Sequence, residues 1–266
     1  MSLLPANIRG LILDMDGVLW ADPAPIGNLP NVFARFKELG LSVAMATNNS
    51  TSTVDQFVER LNSFGVQVEP WQVITSSLAV TNLMSKQLPY GAPVFAIGEN
   101  GLQQALKTAG FELLTVEDAE KAEAVVIGLD RQITFAKMRE ATLLVRNGKP
   151  FFATNPDRTF PTPRGQIPGA GAWISVIVTA TDKQPVYAGK PFPFMLQLAL
   201  ERIGTTKEET LIVGDRLETD IAGGQALGSP TALVLSGVSN QAQAQAWMPK
   251  IDVVAESLSV LVGANN

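Results

Sequence analysis

Short apolar runs alternate with amphipathic segments along the whole chain, and this alternation predicts an α/β protein with a mainly parallel sheet. Nine runs have the length of buried strands: 11–14, 41–46, 73–75, 94–97, 124–127, 151–153, 186–188, 211–213 and 232–235. Helices are predicted between them. Pro30 and Gly40 suit the start and the end of the first helix, and a second apolar stripe ends at Gly65. Further helices are predicted to begin near residues 101, 135, 171, 192 and 219.

The stretch 155–171 is rich in proline, glycine and arginine and is predicted to be a long loop. Loops of this length inside a compact domain are often functional. The stretch is therefore a candidate substrate contact.

Composition narrows the classes of protein. A length of 266 residues allows one large domain or two smaller ones. A net charge of −5 without a basic cluster argues against nucleic acid and against an anionic membrane surface as partners. No apolar run approaches the roughly 20 residues that span a bilayer, and the N-terminus lacks a signal-peptide pattern. The expected location is cytoplasmic.

Cysteine and histidine are both absent from the sequence. Disulfides, thiolate nucleophiles, Cys/His zinc sites and Ser-His-Asp triads are therefore excluded. Acid and base chemistry near neutral pH must fall to carboxylates, lysine, tyrosine or bound water.

Two carboxylates, Asp14 and Asp16, follow the apolar run at 10–13 and precede Gly17. Side chains at i and i+2 share one face of a strand, so the pair can approach one small volume. Like charges this close resist joint ionisation unless a cation bridges them or one keeps a proton, and hard divalent cations prefer carboxylate oxygen. Alone, the pair also fits a simple turn.

Three further segments add polar side chains at predicted strand ends: Thr47 and Asn48, then Lys190, then Asp215 and Asp220. Each has a structural interpretation on its own, as an Asn-rich turn, a solvated lysine and a helix cap. In open α/β sheets, however, the carboxyl ends of the strands meet at one edge, where ligands bind. The four segments together predict an active site at that edge.

The order of these motifs carries a family resemblance. Asp-x-Asp-Gly-Val at 14–18, Thr-Asn at 47–48, Gly-Lys-Pro at 189–191 and Gly-Asp-Arg-x-x-Thr-Asp at 214–220 resemble the haloacid dehalogenase (HAD) superfamily of aspartyl-phosphate phosphatases. Within it, the sequence resembles the class IIA, NagD-like and 4-nitrophenyl phosphatase subgroup. The resemblance implies a Rossmann-like parallel-sheet core made of residues 1–79 and 185–266. An inserted α/β cap would span 80–184.

The resemblance also implies roles for the carboxylates. Asp14 would be the nucleophile that forms an aspartyl-phosphate, and Asp16 would protonate the leaving alcohol and then activate water. Magnesium would be held by the side chain of Asp14, the backbone carbonyl of Asp16 and the side chain of Asp215. Asp220 would hold a metal-bound water.

Other residues would position the substrate. The resemblance implies that Thr47, Asn48 and Lys190 bind the transferred phosphoryl oxygens. The segments 155–157 and 166–173 of the cap would select the leaving group, with these candidate contacts: Asn155, Asp157, Gly169 and Ala170. The expected function is magnesium-dependent hydrolysis of small phosphomonoesters, and a homodimer is expected from relatives.

Two other classes of protein fit parts of the pattern. A signalling receiver also combines clustered aspartates, a threonine and a lysine to accept phosphate without turnover, but it is shorter and lacks the second acid. A two-lobed sugar-binding protein fits the domain layout but gives no reason for the four motifs.

Overall fold

The structure is a computed structural model that describes residues 2–162 and 164–264. The chain forms two compact units. The first contains the residues up to Thr47, then Val54–Ile74, then those from Lys190 onward. The second contains Asn48–Thr53 and Thr75–Gly189. The division expected from the resemblance, with a cap at 80–184, differs from these units by a few residues and stays a prediction about roles.

The strands of the described residues, in chain order, are β1 (Gly10–Leu13), β2 (Trp20–Ala21), β3 (Ala24–Pro25), β4 (Ser42–Thr47), β5 (Val73–Thr75), β6 (Pro93–Ile97), β7 (Glu112–Leu113), β8 (Ala124–Ile127), β9 (Phe151–Ala153), β10 (Thr159–Thr162), β11 (Gly165–Pro168), β12 (Val186–Tyr187), β13 (Thr210–Gly214), β14 (Thr231–Val234) and β15 (Val253–Ala255).

The α-helices of the same residues are α1 (Leu29–Glu38), α2 (Val54–Ser63), α3 (Ser76–Ser85), α4 (Asn100–Thr108), α5 (Phe135–Arg146), α6 (Ala170–Thr181), α7 (Phe194–Ile203), α8 (Ala222–Leu227), α9 (Gln241–Ala246) and α10 (Leu258–Val262). Short 3₁₀ turns lie at Pro70–Gln72 and Ala119–Lys121, and a π-helical segment at Leu217–Ile221 precedes α8. None of the helices in the described part of the chain is long and apolar enough to cross a membrane.

The first unit is built on a six-stranded sheet with the order β15-β14-β13-β1-β4-β5. The central strand β1 pairs in parallel with β13 and with β4, and Leu13 lies opposite both Val213 and Met45. All three side chains are fully buried. Because the strands run in parallel and in register, the residues that follow them emerge at the same edge.

Helix α1 forms where the sequence predicts it, and its cap, its buried face and its end explain why. The side chain of Asn28 accepts a hydrogen bond from the amide of Asn31 at 3.1 Å, which caps α1. Val32 and Phe36 then lie one helical turn apart and are buried against the sheet. The helix ends before Gly40, whose φ of +67° suits glycine.

The second unit has its own parallel sheet with the order β12-β9-β8-β6-β7. Its strands β6 and β8 pair from Val94 and Ala124 to Ile97 and Ile127, and this pair is central to a separate apolar cluster. Predicted strands in both units are therefore confirmed.

The stretch 155–171 contains a β-hairpin, so the prediction of a long loop is wrong. Strands β10 and β11 pair antiparallel, with Phe160 opposite Ile167. Proline and glycine usually interrupt strands, which is why the composition favours a loop. A two-stranded ribbon tolerates them because each strand has an open edge, and here Phe160 packs against the apolar cluster of the second unit.

The strand before Lys190 also differs from expectation. Strand β12 pairs with β9 in the sheet of the second unit and takes no part in the sheet that contains β1. Lys190 therefore does not follow a strand of the first sheet, although it begins the last segment of the first unit.

Candidate active site

Asp14 is the first residue after the central strand β1. Its amide donates to the carbonyl of Val213 at 2.8 Å, which continues the strand pairing by one residue. The preceding residues of β1 are fully buried, so the chain emerges from the core at this point. The side chain of Asp14 is 13% exposed. A carboxylate is thus held at the edge of the sheet with one side open.

Lys190 lies beside this carboxylate. Its Nζ is 2.6 Å from Oδ1 of Asp14 and 2.6 Å from Oδ1 of Asp220, and it donates to the carbonyl of Ala46 at 2.7 Å. The lysine is only 2% exposed. Burial alone would lower its pKa, but the charges of Asp14 and Asp220 outweigh burial and raise the pKa. The ammonium is therefore charged over the physiological pH range.

Asp215 and Asp220 complete a cluster of carboxylates. Asp215 follows β13, and its Oδ2 accepts from the amide of Val238 at 2.7 Å. Asp220 belongs to the π-helical segment, and its Oδ2 accepts from the amide of Arg216 at 3.1 Å. One carboxylate oxygen each of Asp14, Asp215 and Asp220 lies within 4.8 Å of the others.

The cluster strongly perturbs the pKa values of Asp14 and Asp215. Burial raises the pKa of Asp14 well above its usual range, and the charges of Asp220 and Asp215 add to this while Lys190 opposes it. Burial and the charge of Asp220 raise the pKa of Asp215 to about 6, although the hydrogen bond from the amide of Val238 acts in the opposite direction. Strong pKa shifts of this kind are characteristic of functional sites.

Glycines allow the main chain to approach the cluster closely. A Cβ on Gly17 or on Gly237 would collide with the carboxylate of Asp215, and one on Gly214 would collide with Asp220. Gly17 also has a φ of +80°, which favours glycine. The carboxylate of Asp215 is therefore packed against bare backbone.

The donor set fits a divalent cation. Three carboxylates face one ammonium, so two negative charges are uncompensated when all four groups are ionised. Carboxylate oxygens are the ligands that Mg²⁺ prefers, and Asp215 and Asp220 are buried, at 3% and 1% exposed. Asp220 belongs directly to this cluster, whereas the resemblance implies only contact through water.

Asp16 lies two residues after Asp14, and its side chain contacts different groups. Its side chain reaches solvent, and its Oδ1 accepts from Nε1 of Trp20 at 2.8 Å. Neighbouring protein atoms partly desolvate the carboxylate and raise its pKa, although the bond from Trp20 and the charge of Arg60 act in the opposite direction. The two aspartates therefore have separate partners.

Of the predicted phosphate-binding residues, Thr47 and Lys190 belong to the first unit and Asn48 to the second. Thr47 is the last residue of β4, beside β1, and it is 2% exposed. Asn48 uses its Nδ2 to donate to both carboxylate oxygens of Asp157, at 3.1 and 3.2 Å. Asn48 and the candidate cap residue Asp157 are thus in direct contact.

The other candidate cap residues gather around the same segment. Nδ2 of Asn155 donates to the carbonyl of Asn48 at 2.7 Å. The amide of Gly169 donates to the carbonyl of Arg158 at 2.9 Å, and Ala170 is the first residue of α6. The structure thus brings 155–157 together with the start of α6 inside the second unit.

Sequence reasoning missed several groups at the site: the carbonyl of Ala46, the amide of Val238 and the indole of Trp20. The first two are backbone groups, which any residue type supplies, so no motif reveals them. The contact of Trp20 could have been predicted from the sequence, because a tryptophan four residues after a carboxylate can reach back to it when the intervening chain turns.

The chain is similar to known proteins over most of its length. Residues 11–112 match the family model described as haloacid dehalogenase-like hydrolase, and residues 187–261 match a second described as HAD-hydrolase-like. The acid sugar phosphatase of Staphylococcus aureus (strain USA300) is 39% identical over 231 residues, covering 87% of this chain and 88% of the relative.

Solved structures show the same likeness. The p-nitrophenyl phosphatase from Archaeoglobus fulgidus aligns with a TM-score of 0.90 and 34% identity over 96% of this chain and 98% of its own. Glycerol phosphate phosphatase Rv1692 from Mycobacterium tuberculosis, in complex with magnesium, aligns with a TM-score of 0.86 and 31% identity over 96% of this chain and 76% of its own.

The chain therefore belongs to the haloacid dehalogenase-like hydrolase family, as the motifs predicted. Within that family it is a phosphatase of the NagD-like and 4-nitrophenyl phosphatase-like group.

Proposed function

We propose that this phosphatase hydrolyses small phosphomonoesters with magnesium as cofactor and an aspartyl-phosphate on Asp14 as intermediate. The observation that carries the proposal is the surroundings of Asp14: a strand-end carboxylate, open on one side, with Lys190 at 2.6 Å and Asp215 and Asp220 beside it. Such a site could bind a phosphoryl group if a bound Mg²⁺ joined Lys190 in offsetting the negative charge of the phosphoryl oxygens and the carboxylates.

In the first step, a carboxylate oxygen of Asp14 attacks phosphorus and the bond from phosphorus to the leaving oxygen breaks. Asp16 gives its proton to that oxygen, so the alcohol leaves neutral. The raised pKa of Asp16 supports this role, because a carboxyl group with a higher pKa keeps a transferable proton closer to neutral pH.

In the second step, Asp16 acts as a carboxylate and takes a proton from water. The water oxygen attacks phosphorus, the bond from phosphorus to Asp14 breaks, and phosphate leaves. Two carboxylates are needed because Asp14 is esterified during the step that requires a base. Their separate hydrogen-bond partners, Lys190 and Trp20, support this division of labour.

Asp14, Asp215 and the backbone carbonyl of Asp16 are the proposed magnesium ligands. Asp220 is proposed to hold a metal-bound water, and its place in the carboxylate cluster would also allow direct ligation. A bound Mg²⁺ would neutralise carboxylate and phosphoryl charge. A relative in the same family has been solved in complex with magnesium, which supports this cofactor.

Thr47, Asn48 and Lys190 are the proposed ligands of the phosphoryl oxygens. The ammonium of Lys190 already lies within hydrogen-bond distance of the proposed nucleophile. The amide of Asn48 would have to share its hydrogen bonds between Asp157 and the substrate. This sharing would couple phosphate binding to the segment 155–157.

The second compact unit is proposed to act as the cap that selects the substrate. Asn155, Asp157, Gly169 and Ala170 are its proposed contacts, and their mutual packing supports treating them as one surface. The names of the relatives make sugar and glycerol phosphates the first esters to test. A cytoplasmic location and a homodimer stay predictions.

The test is hydrolysis of 4-nitrophenyl phosphate with Mg²⁺, with EDTA, and by the Asp14→Asn variant. We expect turnover that requires Mg²⁺ and disappears in the variant. After rapid acid quenching, mass spectrometry of the wild type should show one phosphoryl group on the peptide that contains Asp14. Asp55→Asn, an exposed carboxylate on α2, is the matched control and should keep full activity.

Other results would contradict parts of the proposal. Undiminished turnover in Asp14→Asn would contradict the role of Asp14 as nucleophile. Equal rates with Mg²⁺ and with EDTA would contradict the requirement for magnesium. A stable phosphoryl group without turnover would indicate a phosphate-accepting receiver.

A further inference from the structure

We propose that Trp20 is a positioning residue that holds the carboxyl group of Asp16 in place for proton transfer to the leaving group. This inference rests on the proposed function, because it concerns the same acid. The indole of Trp20 is completely buried, whereas the carboxyl group that it contacts reaches solvent.

The contact itself is short and directional. Nε1 of Trp20 donates to Oδ1 of Asp16 at 2.8 Å. An indole N–H can only donate, so it occupies an acceptor position of that one oxygen. The other oxygen, Oδ2, is then the one left to carry and transfer a proton.

The main chain between the two residues forms a tight turn that brings them together. The carbonyl of Met15 accepts from the amide of Leu19 at 2.8 Å, and the amide of Gly17 donates to the carbonyl of Trp20 at 2.7 Å. Asp16 and Trp20 also form an isolated β-bridge. The donor and acceptor are thus fixed by the backbone as well as by their own contact.

The indole ring packs against two aromatic rings and a guanidinium group. Its neighbours on α2 and just after it are Phe57, stacked at 6.3 Å between centroids, and Phe64, tilted at 6.1 Å. The guanidinium of Arg60 lies 4.3 Å from the centroid of the indole, and Arg60 forms an ion pair with Asp22. A cation over an aromatic face is an attractive contact, so the indole has little freedom to move.

A freely rotating acid would be a poor catalyst. General acid catalysis contributes about 10²- to 10⁴-fold, and misplacement by about 1 Å can cost about 10²-fold. An exposed aspartate has several accessible side-chain conformations. A buried donor on a closely packed ring selects one of these conformations, and this selection is the role assigned to Trp20.

The test compares Trp20→Phe with wild type on a series of aryl phosphates whose phenol leaving groups differ in acidity. An acidic phenol such as 4-nitrophenol departs without a proton, whereas a weakly acidic phenol needs one. Values of kcat/KM report the first step, in which the leaving group departs. Phenylalanine removes the N–H donor and keeps an aromatic ring for stacking, although the ring is smaller than the indole.

We expect kcat/KM of Trp20→Phe to fall by about 10²-fold for the least acidic phenol and much less for 4-nitrophenyl phosphate. Trp247→Phe is the matched control. It also loses an indole hydrogen bond, from Nε1 to Oε1 of Gln225 at 3.1 Å, and should retain the wild-type dependence on leaving group. A partly unfolded variant would lose rate equally on every ester, so poor folding cannot imitate the expected result.

Different results would contradict the role of Trp20 and the proposed phosphatase function. An equal decrease on all esters, or an unchanged dependence on leaving group, would overturn the role of Trp20 while leaving the phosphatase intact. If wild type hydrolysed none of the esters, the proposed function would be overturned and this inference with it.

Discussion

Replacing Asp215 by asparagine should stabilise the metal-free protein. Burial raises the pKa of Asp215 from its ordinary 3.8 to about 6 in the folded state. The folded protein therefore binds a proton more tightly than the unfolded chain, and stability falls as the pH rises through this interval. Below about pH 4 the carboxyl group is protonated in both states and costs nothing; above about pH 6 the cost is complete.

The size of the effect follows from the shift. A difference of about two pKa units at 1.36 kcal/mol each amounts to about 3 kcal/mol. Asparagine avoids this cost, and its Oδ1 can still accept the bond that Val238 donates to Asp215 at 2.7 Å. The free energy of unfolding of Asp215→Asn should exceed that of wild type by up to about 3 kcal/mol at pH 7, and hardly at all at pH 4.

The assay is urea unfolding in EDTA, followed by circular dichroism between about pH 4 and pH 8. Asp130→Asn is a useful contrast, because it breaks an ion pair between a carboxylate that is 4% exposed and Lys137, at 2.7 Å. Asp130→Asn should lower the free energy of unfolding, whereas Asp215→Asn should raise it. Adding Mg²⁺ should stabilise wild type, by about 2.7 kcal/mol at a hundred times the dissociation constant, and should stabilise Asp215→Asn much less.

Two results would refute this reasoning. If Asp215→Asn were less stable than wild type at pH 7 in EDTA, the carboxylate would not be a cost of folding. If its advantage were the same at pH 4 and pH 7, its origin would not be the titration of this group.

Three further substitutions give separate expectations. Lys190→Met leaves two carboxylates without their buried partner and should lower the free energy of unfolding in urea by about 3–5 kcal/mol, with loss of phosphatase activity; a stability equal to wild type would contradict it. Gly237→Ala places a methyl group against Asp215, so we expect a loss of about 1–3 kcal/mol and weaker Mg²⁺ activation, measured by metal titration of activity. Gly171→Ala collides with the carbonyl of Pro156 and should change the ratio of kcat/KM between sugar and aryl phosphates; an unchanged ratio would argue against substrate selection by this surface.

The fold could be predicted from the sequence wherever an element depends on its own pattern. The run at 10–13 is apolar throughout, and it forms the buried central strand β1. Asn28, Pro30 and Gly40 mark the ends of α1 by local hydrogen bonding and backbone preference. The sequence did not predict the hairpin β10–β11, because its prolines and glycines are typical of a loop. Pairing between the two strands and packing of Phe160 in the apolar cluster of the second unit support it as strand.

At the candidate site, too, some features follow from the local sequence and others only from the folded chain. The sequence by itself determined that Asp14 and Asp16 follow a buried strand, because strand length and alternation are local properties. It did not determine that Lys190, 176 positions away, would pair with Asp14, since the strand before that lysine belongs to the other sheet. It grouped Asp220 with Asp215 at the predicted edge, but the position of the Asp220 carboxylate within the cluster depends on the π-helical turn after β13. Distances and shared charge between remote segments arise only when the chain is folded, so the tertiary structure alone decided how these groups set one another's acidity.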